Sequence, residues 1–178
     1  MEKLDYKNKE DLVKNIYIIG GSMGVGKTMV GKLLKSKLPN SVFLDGDWCW
    51  DMNPFQVTAE TKDMVMDNIC YLLNNYIKCS VYENIIFCWV LQEQATIDTI
   101  MNNISCRECE TKVVSLVCDE ETLRERLQND INDNYRTDDI IEKSIRYMPL
   151  YDSLKTIKID TSRRSIGEIA KEIKESKG

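Results

Sequence analysis

Gly20-Gly21-Ser22-Met23-Gly24-Val25-Gly26-Lys27-Thr28 is the stretch whose reading decides the fold. From Gly21 to Thr28 it fits GxxxxGK followed by Ser or Thr, a pattern suited to wrapping a polyphosphate. Backbone N–H groups must converge on the phosphate oxygens, and glycines remove the side chains that would collide there. Gly21, Ser22, Met23, Gly24, Val25, Gly26, Lys27, Thr28 and Met29 are therefore the candidate nucleotide-binding residues. Lys27 would place charge on the β- and γ-phosphates, the Thr28 hydroxyl is a hard oxygen ligand for Mg²⁺, and a following helix adds its positive end. The flanks agree. Ile16-Tyr17-Ile18-Ile19 reads as a strand before the loop, and Val30, Leu33, Leu34 and Leu38 fall at helical spacing after it. A chance glycine turn before an ordinary helix is the bland alternative, and this order of strand, loop and helix weighs against it.

The 178 residues suit one domain, 1–178, with a core of useful size. The chain is 43% hydrophobic and 30% charged, a globular composition, and no apolar run has the length of a membrane span. A net charge of -5 argues against nucleic acid as the main partner. The charged start, Met1-Glu2-Lys3-Leu4-Asp5, is unlike a secretory leader, and 7 cysteines, an odd number, suit reduced thiols; the expectation is a cytoplasmic protein, monomeric or homodimeric. Cys106-Arg107-Glu108-Cys109 is a lone CxxC without a second pair or histidines, so loop cysteines are favoured over a metal or redox site. With 0 His, acid–base chemistry falls to carboxylates.

In order, strands are expected near 15–20, 41–44, 85–91, 112–118 and 157–159, with helices near 26–37, from Thr58, over 93–103, after Asp119, up to about Tyr147, and from a Ser165–Glu168 capping box. Val65, Ile69, Leu72, Leu73 and Tyr76 share one face of the second helix, and Ile166, Ile169, Ala170 and Ile173 sit on the last. The unbroken run Ile85 to Leu91 reads as a strand buried on both faces. This alternation implies an α/β sandwich around a parallel sheet, with ligands beyond the carboxyl ends of the strands. The polar stretch 129–138 is the candidate lid.

Asp45-Gly46-Asp47 follows the second strand on that same edge. One carboxylate could orient and deprotonate an attacking hydroxyl, and the other could hold the water shell of Mg²⁺. An ordinary Asp-Gly turn is the alternative, and the phosphate loop upstream favours function.

With these pieces the chain resembles the shikimate kinase and gluconate kinase branch of small P-loop kinases, within the nucleoside monophosphate kinase-like group. The resemblance covers most of 15–175. It rests on Gly21–Thr28, on Asp45-x-Asp47, on Leu123-Arg124-Glu125-Arg126-Leu127 before the lid, and on Pro149-Leu150-Tyr151 with the tail from Ile159 to Gly167. It implies a three-layer α/β/α sandwich with a parallel five-stranded sheet, the P-loop NTPase fold, and ATP with Mg²⁺ as cofactors. It also implies that Arg126 stacks on adenine, that the tail with Arg164 closes over it, and that a lid arginine, Arg136, reaches the transferring phosphoryl group. Arg136 as a surface residue paired with Asp138 or Asp139 stays open. Lys27, Asp45, Asp47 and Arg136 are the candidate catalytic residues, and Thr28 with Asp45 the metal residues.

The chain departs from shikimate kinases where they hold a carboxylate. Thr58-Ala59-Glu60-Thr61-Lys62 stands in place of the first arginine, Trp89-Val90-Leu91-Gln92-Glu93 lacks the glycine turn, and Arg146 falls one residue off register. A buried carboxylate left unpaired costs about 3–5 kcal/mol, so shikimate is disfavoured. Trp48, Trp50, Glu60, Trp89 and Arg146 are the candidate acceptor residues. The acidic and aromatic character of this side suits a neutral or cationic, partly flat acceptor such as a nucleoside or an amine-bearing molecule; a solvated acidic rim is the alternative. The expected function is an ATP-dependent kinase of a small-molecule hydroxyl or phosphate. The competing class is a nucleotide-binding regulator or slow ATPase, which an acid at the end of the third strand would favour; Phe87-Cys88-Trp89-Val90 has none there.

Overall fold

The computed structural model describes residues 13–133, 135, 137 and 139–177. Among these, five strands alternate with six α-helices: β1 Lys14–Gly21, α1 Lys27–Lys37, β2 Ser41–Asp45, α2 Ala59–Lys78, β3 Asn84–Cys88, α3 Gln94–Asn103, β4 Cys109–Val117, α4 Glu120–Asn132, α5 Ile140–Tyr147, β5 Ile157–Asp160 and α6 Ile166–Glu175. Short 3₁₀ turns occupy Gly46–Trp50 and Met148–Tyr151. Every pairing is parallel, in the order β2-β3-β1-β4-β5.

Side chains alternate across the pleat and divide the core in two. Ile16 and Ile18 of β1 with Ile85 and Phe87 of β3 face Val65, Ile69 and Leu73 of α2 and Ile97 and Ile100 of α3. Tyr17, Ile19, Ile86 and Cys88 face the other way, onto Val30 and Leu34 of α1 and Ile169 and Ile173 of α6. Each fully buried aliphatic side chain contributes about 1.5–3 kcal/mol of transfer free energy, so both helix layers are held firmly. The result is the three-layer α/β/α sandwich expected, with both faces of the parallel sheet covered.

The differences lie at element margins. β3 stops at Cys88, short of the expected Leu91. The apolar run continues because its backbone stays tied to β1: Trp89 N–H donates to the Ile19 carbonyl (3.1 Å) and Gly21 N–H to the Val90 carbonyl (3.2 Å). Leu91 then turns the chain away with φ 43. β4 begins at Cys109, earlier than expected, so the second cysteine of the CxxC opens a strand and packs with Cys106 against the core. On α2, Leu72 and Tyr76 lie at the partly buried margin, while Cys70 and Ile77 complete the inward face. Ile166 sits on the exposed first turn of α6.

Candidate active site

β1 ends at Gly21 and α1 begins at Lys27, so the phosphate loop is the reversal between a buried strand and a helix. Gly26 caps α1 in a left-handed conformation, φ 104, which a side chain would strain. α1 has no side-chain cap and no acidic residue in its first turn. Its leading N–H groups and positive dipole end are left for an anion, which fits a phosphate. Lys27 Nζ folds over the loop and donates to the carbonyls of Gly21 and Ser22, each at 2.8 Å. Ser22 is buried within the loop, whereas the Met29 side chain is largely exposed, so only its backbone could serve a nucleotide.

Strand register brings the carboxylate of β2 to the loop. Asp45 lies opposite Cys88 of β3, and Thr28 Oγ1 donates to Asp45 Oδ2 at 2.9 Å. Asp45 Oδ1 accepts the N–H of Asp47 at 3.2 Å, which fixes the start of the 3₁₀ turn. The buried Asp45 carboxylate and the Thr28 hydroxyl are two hard oxygens at one point of the loop, a donor set that fits Mg²⁺. Cys88 is fully buried beside them, at the strand end where an acid was sought in the sequence. Burial pushes its thiol up, the Asp45 charge raises it further, and Lys27 partly opposes both. The acid that lies beside the Thr28 hydroxyl is Asp45, at the end of β2.

On the other side of the loop, Arg126 of α4 ties two segments together. Its Nη1 donates to the Val25 carbonyl (3.2 Å) and Thr161 Oγ1 (3.0 Å), and its Nη2 donates to the Thr161 carbonyl (2.8 Å). Thr161, fully buried just after β5, went unrecognised in the sequence; the only signal was its place in the tail motif. Arg164 turns toward α6, donating to the Asp160 carbonyl (2.9 Å) and pairing with Glu172 (2.6 Å). Tyr151 was also missed as a site support. Its buried hydroxyl donates to the Val90 carbonyl at 2.7 Å, bracing the segment after β3 from the 3₁₀ turn. Arg136 and Asp138 of the candidate lid lie outside the described residues.

Beyond β2, a cavity of about 590 Å³ is lined by Asp47, Trp48, Trp50, Asp51, Met52, Phe55 and Trp89. The structure thus brings together three of the five candidate acceptor residues. Glu60 and Arg146 are not among its walls: Glu60 sits in the first turn of α2, where an acid suits the helix dipole, and Arg146 in the last turn of α5. Trp48 meets Phe43 edge-on with centroids 5.6 Å apart, and Trp50 tilts against Phe55 at 5.8 Å. A Cβ at Gly46 would lie 2.5 Å from Trp89 Cγ. Close packing of the indole is therefore the reason for glycine between the two aspartates.

A parallel sheet, a glycine loop capping its helix, and a hydroxyl–carboxylate pair at the loop define a P-loop domain with a kinase-like fold. A family model described as an AAA domain matches residues 18–146, and the chain belongs to that family. No curated protein matches the chain. Among solved structures it is similar to a gluconokinase from Sinorhizobium meliloti 1021, at 16% identity over 91% of this chain and 90% of that one, TM-score 0.64. It is also similar to the tunicamycin resistance protein of Deinococcus radiodurans, at 18% identity over 90% and 93%, TM-score 0.65. Shikimate kinase from Acinetobacter baumannii, in complex with shikimate, matches at 21% identity over 90% of each chain, TM-score 0.56. These likenesses establish the fold, a P-loop α/β fold shared with these kinases. Among the described residues, no helix is long and apolar enough to cross a membrane.

Proposed function

We propose that this protein is an ATP-dependent kinase that phosphorylates a hydroxyl of a small molecule. The observation that carries the reading is how close the two halves of the site lie in the chain: Asp45 is bonded to Thr28 of the phosphate loop, and Asp47, two residues on, lines a separate cavity. A donor site and an acceptor site therefore share one edge of the sheet. Lys27 and the loop amides hold the triphosphate and stabilise charge on the transferring group. Thr28 would hold Mg²⁺ and Asp45 would hold its water shell, and the ion when bound would supply charge stabilisation to the phosphates. Asp47 orients the acceptor hydroxyl and takes its proton as the oxygen bonds to the γ-phosphorus and the bond to the β-phosphate oxygen breaks, releasing ADP. Arg126 and the 160–166 segment enclose the adenine, with Arg164 at the rim. Arg136 reaches the transferring phosphoryl group from the lid. Catalysis is mainly positioning and electrostatics.

The fold neighbours whose names are gluconokinase and shikimate kinase support a small-molecule acceptor, and the tunicamycin resistance protein extends the group toward antibiotics. The discriminating assay is ADP release with and without a panel of acceptors. Acceptor-dependent release that falls in Asp47→Asn is expected. Acceptor-independent release that survives Asp47→Asn would establish the slow ATPase or regulator instead.

A further inference from the structure

We infer that the cavity beside Asp47 is an aromatic–acidic subsite for a cationic group, so that the acceptor is an amine-bearing alcohol rather than a phosphate, a carboxylate or a neutral polyol. The inference rests on the kinase reading for the identity of Asp47 as the hydroxyl-facing residue, but the cation subsite itself is argued from the walls of the cavity.

Those walls carry four aromatic side chains, Trp48, Trp50, Phe55 and Trp89, and two carboxylates, Asp47 and Asp51. Among the described residues no Lys or Arg lines it, and the formal charges on that lining are both negative. Binding an anionic acceptor demands paired cations at the site, normally an arginine fork. An acceptor phosphate or carboxylate would here meet carboxylates and the negative faces of aromatic rings. An ammonium group meets the opposite: ring faces attract it, and a carboxylate completes the pairing. Its volume, about 590 Å³, suits a small molecule.

Two further features mark the surface as built for a ligand. Trp48 is 58% exposed and Phe55 67%, large apolar faces left open beside a polar catalytic edge. Trp89, by contrast, is seated against Gly46, a contact that even a methyl group there would break. One wall is thus anchored to the Asp45–Asp47 turn, and the other, on the segment after it, is open. A cation held against Asp51 and the indoles lies in the same cavity as Asp47, where a hydroxyl on the same molecule can be presented.

All 3 tryptophans of the chain line this cavity, so intrinsic fluorescence reports on it without ATP or turnover. The full-length protein is titrated with choline, ethanolamine and the aminocyclitol 2-deoxystreptamine. Each is paired with a neutral counterpart of like size: 3,3-dimethylbutan-1-ol, ethanol and inositol. Shikimate is the anionic control. The expected result is a saturable change in tryptophan emission for at least one cation, at about ten-fold lower concentration than for its neutral counterpart, and none for shikimate. Asp51→Asn, on an exposed position, should weaken that cation about ten-fold, and Trp48→Leu should do the same with the other two indoles still reporting. Both variants should keep the wild-type far-UV spectrum and the wild-type affinity for ATP. Equal response to each neutral counterpart, preference for shikimate, or no saturable response to any cation would overturn the subsite. Failure of the kinase reading would show differently, as the absence of acceptor-dependent ADP release.

Discussion

The two halves of the site are built in opposite ways. On the donor side, Lys27, Thr28, Asp45, Arg126 and Thr161 come from four elements or turns and are held by short hydrogen bonds to one another and to the loop backbone. On the acceptor side, the walls come from one 3₁₀ turn, the segment after it and Trp89, with broad aromatic faces open to solvent. Preorganised dipoles suit the triphosphate, whose chemistry is the same for every enzyme of this kind. An open aromatic surface suits a group whose identity differs from one member of a fold family to the next. The proposed donor half is cross-linked by hydrogen bonds, and the proposed acceptor half is where the sequence departs from the shikimate kinase pattern.

That contrast can be broken most severely at Lys27. Lys27→Met should lower phosphoryl transfer by about 10²–10³-fold, measured as ADP release, while leaving the tryptophan emission response to acceptors unchanged. A parallel loss of both would mean the two halves are not separable. Next in size, Gly46→Ala drives a methyl group into Trp89 and should raise the acceptor KM about ten-fold with little change in the KM for ATP. Equal effects on both KM values would place Trp89 on the donor side.

Much of the donor half was legible in the sequence because its residues are contiguous or follow a strand directly. Gly21 to Thr28 is a single run, and Asp45 sits where β2 ends, so register alone carries it to Thr28. The clasp between Arg126 and Thr161 spans 35 positions, and no local spacing announces it. The acceptor half was legible only in part. Trp48, Trp50 and Trp89 are aromatics near strand ends, but Met52 and Phe55 belong to an irregular segment without periodicity, and Glu60 lies in the first turn of α2, outside the cavity's walls. The role of Gly46 could not be read locally, since it depends on a side chain 43 positions away.

Smaller effects sharpen the comparison through stability. Tyr151→Phe removes the hydroxyl bonded to the Val90 carbonyl, which keeps the Gly21 N–H as a partner. The loss should be about 1 kcal/mol, a fall in Tm of about 2–4 °C. Calorimetry would detect it, and the same variant should show the acceptor-side segment after β3 exchanging amide hydrogens faster. Smallest is the cap of α6, at the far end of the 160–166 segment. The Ser165 side chain and backbone N–H hold the Glu168 carboxyl below its usual range. A depressed folded-state value adds stability above the unfolded value near 4.5 and loses it as pH falls through the folded one. Ser165→Ala should therefore lower Tm at pH 7 and make a smaller difference well below pH 4. A Tm difference independent of pH would assign the effect to the Ser165 hydroxyl alone.

The central claim is that one edge of this sheet passes a phosphoryl group from the Lys27 loop to a hydroxyl beside Asp47. The most direct measurement is mass spectrometry of a mixed pool of small metabolites incubated with ATP, Mg²⁺ and the protein, with Lys27→Met as the blank. The expected product gains one phosphoryl group in the wild-type reaction alone and retains an amine. ATP consumed to ADP and inorganic phosphate, with no phosphorylated product in the pool, would contradict it.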